Sequence, residues 1–573
     1  MRLQISQTKN AASFYVVKSI YINGKRTNKV VEKLGTYAEL KAKLGDRDPY
    51  EWAEEYVSEL NRLEKEGKEP VVIAKYSPYR LIEKDVQRNF NGGYLFLQKI
   101  YYDLGIDRIC SKISDKYKFD YNLNSILSRL LYGRILFPSS KLSTYEISSE
   151  LLEPPDFDLH QIYRALEVIA KETDFIQSSL YQNSLSLSNR NTGILYYDCT
   201  NYFFEIEQGE GLKQFGPAKD HKPNPIVQMG LFMDGDGIPL AFSITEGNKN
   251  EQLTLKPLEK KILSDFKLSK FVVCTDAGLA SNSNRIFNDR AGRAFITTQS
   301  IKKLKAHLKE WALNPEGWHL AGDDVETYDI REIDENKYWE KIFYKERWIK
   351  EDGLEQKLIV TYSLKYRDYN SKIRKSQIER ALKLLDTNPS KIKKHRQNDY
   401  KRFIEKTTCT PDGEIAENEI YSLNTGLIES EEVYDGFYAV CTNLDEDATE
   451  ITKINRRRWE IEECFRILKN EFKARPVYLK RDDRITAHFT TCFMALIIYR
   501  ILEKKLNEKF TCSTIIRSLR KMNFKEVKGE GYEPTYIRTD FTDALHEAFG
   551  FRTDYEIVTL KQMKKIFKTT KSR

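Results

Sequence analysis

Two aspartates and one charged helical face hold most of the chemistry legible in this chain. Asp198 lies inside the run Ile194-Leu195-Tyr196-Tyr197-Asp198-Cys199-Thr200, a stretch of β-forming residues where a carboxylate is costly unless something pairs with it. Asp276 closes a second apolar run, Phe271-Val272-Val273-Cys274-Thr275. Two acidic groups aimed at one point repel, and a divalent cation held by oxygen ligands is the usual remedy. Each aspartate alone also has a plainer reading: Asp198 ends or bulges its strand, and Asp276 caps the helix after Gly278. The third element is residues 455–469, whose pattern predicts a helix. At about 100° per residue Arg458, Glu462, Phe465 and Lys469 share one face. Such a face is unusual for a helix that must pack on a sheet. It suits a site in which Glu462 completes a carboxylate trio around metal while Arg458 and Lys469 neutralise phosphate oxygens. The competing reading is a surface ion pair between Arg458 and Glu462 at i,i+4.

The elements that must position these residues follow from periodicity. Residues 194–200, 226–233 and 239–245 read as three consecutive strands, with a turn at Asp234-Gly235-Asp236-Gly237. A helical stripe over 252–266 follows, then a strand at 271–275, a helix near 282–290 and a strand at 294–298. Three meandering strands followed by alternating α and β is the order of a ribonuclease-H-like fold, in which the strands bearing Asp198 and Asp276 are neighbours. Ahead of this block, alternating runs on either side of Asn23-Gly24 predict a hairpin, and its return arm, Lys25 to Lys29, would touch phosphate or form a solvated strand face. A charged helix is expected over 49–66. Residues 93–187 carry helical periods, and Arg134, Lys141 and Arg164 would serve if this bundle bound DNA through a helix-turn-helix; a structural bundle is the other reading. Between 300 and 450 the pattern is β-rich and charged. Residues 374–402, with ten Lys/Arg against three Asp/Glu, form a candidate phosphate contact or a solvated face.

The spacing Arg458-(3)-Glu462-(6)-Lys469, inside Arg458-Trp459-Glu460-Ile461-Glu462-Glu463-Cys464-Phe465, resembles the Y-R-E-K signature of DDE transposases of bacterial insertion sequences, the insertion sequence four family and its relatives. Asp198 in YYDCT and Asp276 in VVCTDAG fall where that family's two catalytic aspartates would fall. Gly230 to Pro239, Glu246-Gly247-Asn248 with Glu251, and Asp435-Gly436-Phe437 are also similar. The signature's tyrosine is Asn455 here, so that residue's role is not carried over. The resemblance implies an α/β chain with a ribonuclease-H-like catalytic core (191–300 and 451–510) interrupted by a β-rich insertion (301–450). It further implies an N-terminal β-hairpin region (1–85) and a helical region (86–190), both candidates for DNA binding, and a C-terminal region (511–573).

The activity implied is DNA transposition: binding of terminal inverted repeats, metal-dependent cleavage at the ends, and attack of the freed 3′-hydroxyl on target DNA. Asp198, Asp276 and Glu462 would be catalytic and would hold Mg²⁺, with Mn²⁺ a substitute, and a homodimer would bring two ends together. Arg458 and Lys469 would contact DNA. His221, in Lys219-Asp220-His221-Lys222, and Gln228 would lie near the scissile bond, His221 being alternatively a surface loop residue. Trp459 would stack on a base or pack its own helix. A nuclease without strand transfer and a catalytically inactive repeat-binding protein are the alternatives.

Composition agrees with this frame without demanding it. At 573 residues, with 93 Lys+Arg against 85 Asp+Glu and 40% hydrophobic residues, the chain has the length of two to four domains at roughly 150 residues each and a mildly basic charge compatible with a polyanion partner. Eight cysteines without a C-x-x-C pair exclude a disulfide scaffold and a zinc finger. The longest uncharged apolar run, residues 485–499, falls short of the ~20 residues that span a bilayer. The expectation is a soluble protein of a reducing compartment with no membrane partner, and the resemblance to transposases of bacterial insertion sequences implies the bacterial cytoplasm, in association with the nucleoid. Paired carboxylates would also serve a glycoside hydrolase, but that reading leaves the Arg-Glu-Lys face unexplained.

Overall fold

The computed structural model describes residues 1–8, 11–22, 25–66, 78–187, 190–387, 399–409 and 415–573. The chain divides into two units, Met1–Glu83 and Lys84–Arg573. In the first, strands β1 (Arg2–Thr8), β2 (Ala11–Ile22) and β3 (Lys25–Thr36) form an antiparallel sheet. β2 and β3 pair antiparallel, with Ile22 opposite Lys25, and β1 is an edge strand. The turn at Asn23 and Gly24, and the side chains of 25–27, lie outside the described residues. A helix at Pro49–Glu66 follows, as its charged pattern predicts.

The second unit opens with β4 (Asn89–Asn91) and six helices between Tyr94 and Ser184. The strands then run β5 (Ile194–Phe203), β6 (Ile226–Asp234), β7 (Pro239–Glu246), β8 (Val272–Thr275), β9 (Ala294–Gln299), β10 (Trp318–Leu320), β11 (Asp323–Tyr328), β12 (Phe343–Glu351), β13 (Leu354–Tyr362), β14 (Ile404–Cys409), β15 (Ile415–Leu423), β16 (Phe437–Thr442), β17 (Asn523–Val527), β18 (Gly531–Pro534) and β19 (Val558–Thr559). Ten of these build one sheet in the order β11-β10-β12-β13-β16-β9-β8-β5-β6-β7. The pairs β5–β8 and β8–β9 are parallel, joined by the crossover helices Leu255–Asp265 and Asn282–Asn288.

Two expectations about organisation need correction. The residues expected as a separate insertion supply β10 to β13 and β16 to the same sheet, because β16 pairs with β9 along Ala439–Thr442. Among the described residues of the insertion β14 and β15 stand apart, as a two-stranded ribbon. The helical stretch is likewise not a free-standing bundle. Tyr94, Leu127 and Leu166 share one hydrophobic cluster with Tyr196 of β5 and with Phe489 and Leu496, so these helices form a layer against the sheet. The helix Asp482–Lys505 holds this layer together. It is long and apolar enough to cross a membrane, but 94% of its apolar window is buried inside the protein, where uniform hydrophobicity marks a core helix.

Alternation along β5 sends Tyr196 and Tyr202 to that helical layer and Tyr197 and Cys199 to the opposite face, against Leu255, Leu258 and Ile262. The start of β5 is pinned by an ion pair with no solvent contact. Arg190 Nε lies 2.6 Å from Asp234 Oδ2, with side chains 1% and 0% exposed, and its Nη2 donates to the carbonyls of Ile238 and Pro239. Arg190→Met strands the Asp234 charge in the core, and breaking a buried pair from one side costs about 3–5 kcal/mol; the urea midpoint of the variant should fall accordingly.

Candidate functional site

The parallel register of β5 and β8 pairs Tyr196 with Cys274. Two residues further along stand Asp198, within β5, and Asp276, the residue after the last of β8, close enough for the Asp276 charge to act on Asp198. Both share the parity of Tyr196 and Cys274, which belong to the cluster on the helical face. The two aspartates therefore meet on the side of the sheet where the Trp459–Arg466 helix packs through Ile461, Cys464 and Phe465.

Asp198 is buried, and its Oδ1 accepts the Cys199 N–H at 2.7 Å. Burial pushes its carboxyl up to about 6; the Lys219 ammonium opposes this, and the Asp276 charge adds to it. The two carboxylates thus act on each other as like charges in a poorly solvated place. Asp276 is half-buried, and its Oδ1 accepts the Leu279 N–H at 3.0 Å. This turn-forming bond is part of the plainer reading of Asp276, and it coexists with the meeting of the two acids.

The expected single helix over 455–469 is three segments: a helix at Ala448–Arg456, a helix at Trp459–Arg466 and a π-turn at Ile467–Glu471. The break at Arg457 and Arg458 is fastened on both sides. Tyr196 Oη donates to the Ile454 carbonyl at 2.9 Å. Beyond the break, buried Glu460 pairs with Arg457 at 2.9 Å and with Arg500 at 3.5 Å, and Arg500 Nε donates to the Gly237 carbonyl in the β6–β7 turn. Gly237 has φ +80, and a Cβ there would lie 2.3 Å from Glu460 Oε2; glycine is required by both conformation and space.

Arg458, held at this break, is the electrostatic centre. Its Nη1 lies 3.2 Å from Glu462 Oε1, and its Nε is buried without a hydrogen-bond partner among the described residues. Burial works against its charge, but Glu462, Tyr438, Asp198 and Asp276 outweigh that and hold its pKa above the usual guanidinium value. The i,i+4 ion pair of the plainer reading exists, yet it is one arm of a cation that also senses both aspartates. Lys469 arrives on the wider π-turn, which inserts an extra residue per turn. Burial and Lys219 depress its ammonium to about 8, against the pull of Asp198.

The structure thus gathers Asp198, Asp276, Arg458 and Lys469, with Glu462 joined through Arg458. Trp459 is 61% exposed, so it does not pack its helix; it lines a groove of about 270 Å³ with Tyr438, Asn455, Arg458 and Glu462. His221 is exposed on its loop at φ +56. Gln228 is buried and donates to the carbonyls of Gly247 and Lys249, which withdraws it from any solvent-side role.

Two residues went unrecognised in the sequence. Lys219, two positions before His221, donates to the Cys199 carbonyl, lies 3.8 Å from Glu251 and faces Asp198. Its signal was the density of charge in Lys219-Asp220-His221-Lys222. Tyr438 of β16 accepts a hydrogen bond from Asn455 Nδ2 at 2.9 Å and lies 2.7 Å from Thr298 Oγ1. Asn455, where the signature has tyrosine, is thereby a buried tie between the sheet and the break, with an aromatic hydroxyl beside it. Nothing in local sequence pairs residues so far apart.

The transposase DDE domain family profile matches residues 212–498, half of the chain, and these include Asp276, Arg458, Glu462 and Lys469. The chain belongs to the DDE transposase domain family. Asp198 precedes the matched stretch. No curated protein matches this transposase. Among solved structures, a piggyBac transposase synaptic complex with hairpin DNA is similar over 85% of this chain and 86% of that one, at 8% identity and a TM-score of 0.36.

DDE transposases generally use divalent metals, and the residues meet that requirement in part. Asp198 and Asp276 supply hard oxygen donors on adjacent strands, and their mutual repulsion is what a cation would relieve. Glu462 is engaged by Arg458 instead, and among the described residues no group of three His, Cys, Asp or Glu side chains is arranged to hold a metal. The folded-state value of Asp198 lies above its ordinary 3.8, so its stabilising share is complete below about pH 4 and is lost as pH rises through about 6. In chelator-containing buffer Asp198→Asn, which keeps an acceptor for the Cys199 N–H, should therefore be more stable than wild type by about 2–3 kcal/mol at pH 7.5 and indistinguishable near pH 4. Thermal unfolding across that range measures it.

Proposed function

We propose that this protein is a DNA transposase that binds the terminal inverted repeats of its element, hydrolyses a phosphodiester at each end and joins the freed 3′-hydroxyl to target DNA. The observation that carries the reading is the meeting of Asp198 and Asp276 under Arg458, with Glu462 and Lys469 on the same segment. Asp198 and Asp276 would hold the divalent cation, Mg²⁺ or Mn²⁺, with Glu462 as third ligand once DNA phosphate competes for Arg458. The bound metal would supply Lewis acidity to the attacking and departing oxygens.

The chain's own residues do the rest. Arg458 and Lys469 lie where negative charge accumulates on the phosphorus oxygens, and fixed cations in a partly desolvated site stabilise that charge without reorganising. Lys219 offsets the Asp198 charge and ties the 217–222 loop to the Cys199 carbonyl. Tyr438, Asn455 and the Glu460–Arg500 pair hold the break that aims Arg458. Trp459, open to solvent beside Arg458, offers a flat face to an unstacked base. Both chemical steps would use this one site, and two copies of the chain would be needed to hold two ends together.

The test is cleavage and strand transfer on a labelled duplex carrying the element's ends, with Mg²⁺ or Mn²⁺, comparing wild type with Glu462→Gln. The variant should retain DNA binding and lose both reactions by about a hundredfold or more, at or beyond the upper end of the ~10–100-fold that outer-shell partners of a metal cost. Unchanged cleavage in Glu462→Gln would assign catalysis elsewhere, and binding without cleavage by the wild type would leave a repeat-binding protein.

A further inference from the structure

Away from the acidic pair, the turn between the helices Leu123–Leu136 and Lys141–Ser148 meets the segment that follows the π-turn. A pocket of about 490 Å³ lies between them. Arg134, Lys141, Lys473 and Arg475 line it, and no aspartate or glutamate does. Arg134 and Lys141 are more than nine-tenths buried, at 6% and 7% exposure. Such residues are almost never buried unless paired, yet among the described residues Lys141 has neither a carboxylate nor a hydrogen-bond partner. Arg134 Nη1 donates to the carbonyls of Phe472 (3.0 Å) and Lys473 (3.5 Å), while its Nε is buried with no hydrogen-bond partner among the described residues. Arg475 is paired with Asp220, and Lys473 is exposed at the mouth.

The remaining wall adds positive potential. Ser140 caps the helix that begins at Lys141, accepting the Ser143 N–H at 3.0 Å, so the partial positive charge of the helix N-terminus faces the same space. His488 donates no compensation. Its Nε2 lies 3.2 Å from the Ala474 carbonyl, and burial, together with Arg134 and Lys141, keeps the ring neutral. Burial and Arg134 also bring the Lys141 ammonium down to about 7, the response of a cation with no anion near it.

We propose that this pocket is a phosphate-binding site that takes a backbone phosphate of bound DNA, with Lys141 and Arg134 as its buried cations and Lys473 at its mouth. The DNA source rests on the transposase reading; the oxyanion chemistry does not. Position supports the link. Val477 N–H donates to the carbonyl of Phe203 at 3.2 Å and the Arg475 guanidinium lies 5.9 Å from the Phe203 ring centroid, at the end of β5. Phe203 lies five residues beyond Asp198, roughly 16 Å along a strand, so one duplex would reach both places.

The test uses the full chain, Lys141→Met and the exposed Lys473→Gln, with inorganic phosphate and an arbitrary duplex as separate probes. Removing an uncompensated buried charge should leave Lys141→Met at least as stable as wild type without ligand, which a structural lysine would not allow. Phosphate should raise the melting temperature of wild type and not of Lys141→Met. Each variant should bind duplex more weakly whatever its sequence, with the slope of log K against log salt shallower by ~0.9, so that its deficit shrinks about threefold between about 50 and 200 mM salt. Retained phosphate stabilisation with an unchanged slope would overturn the site. Lost phosphate stabilisation with an unchanged slope in both variants would mark a free-anion site and overturn the DNA assignment. A wild type that binds phosphate but no duplex would overturn the transposase reading while leaving the anion site standing.

Discussion

The organisation of the second unit depends on keeping two carboxylates together in the interior edge of a sheet. Coulomb repulsion between unit charges a few ångströms apart is severe where solvent is excluded, and burial alone already drives the Asp198 carboxyl toward its neutral form. What makes the arrangement tolerable is the ring of cations around it: Arg458 from the break between two helices, Lys469 from the π-turn and Lys219 from the loop after β5. None of these would stay in place without its own fastening. The Arg500–Glu460–Arg457 chain, the tyrosine hydroxyls of Tyr196 and Tyr438, and Gly237 serve that end. The site is therefore a balance of charges held by a rigid frame, which is the condition for electrostatic stabilisation of a transition state.

The same logic explains why Glu462 rests on Arg458. A carboxylate 58% exposed has little to gain from approaching two further acids, and the nearest guanidinium is the better partner. Proximity in sequence put Arg458 and Glu462 one turn apart, and the helix made the pairing inevitable.

Much of this was legible in the chain itself. Asp198 announced itself by sitting in the middle of an apolar β run, and strand order followed from meander then alternation, so the neighbouring positions of β5 and β8 could be anticipated. The Arg458–Glu462–Lys469 spacing was visible as a helical face, although the turn at Arg457 and the π-turn were not, because both are imposed by tertiary anchors at Glu460, Arg500 and Tyr196 rather than by local propensity. Lys219 and Tyr438 escaped notice for a related reason: each becomes meaningful only through a contact with a distant strand. The helical periods around Arg134 and Lys141 admit a helix-turn-helix contact with DNA or a structural bundle, whereas packing of the helical layer against the Asp482–Lys505 helix sinks both into a pocket. Periodicity assigns a residue to a face, but what covers that face is decided by topology.

The joining of β16 to β9 has a consequence for how such a chain can be altered. Sequence bookkeeping would treat residues between β9 and the Ala448–Arg456 helix as a cassette, removable by splicing its ends. Excision would strip β9 of β16, its partner on one side, and leave a row of unsatisfied amides and carbonyls along a strand next but one to β5, an open template for pairing with other chains. It would also take away Tyr438, and with it the partner of Asn455. The intervening residues thus cover β9, and a shortened chain would be expected to self-associate.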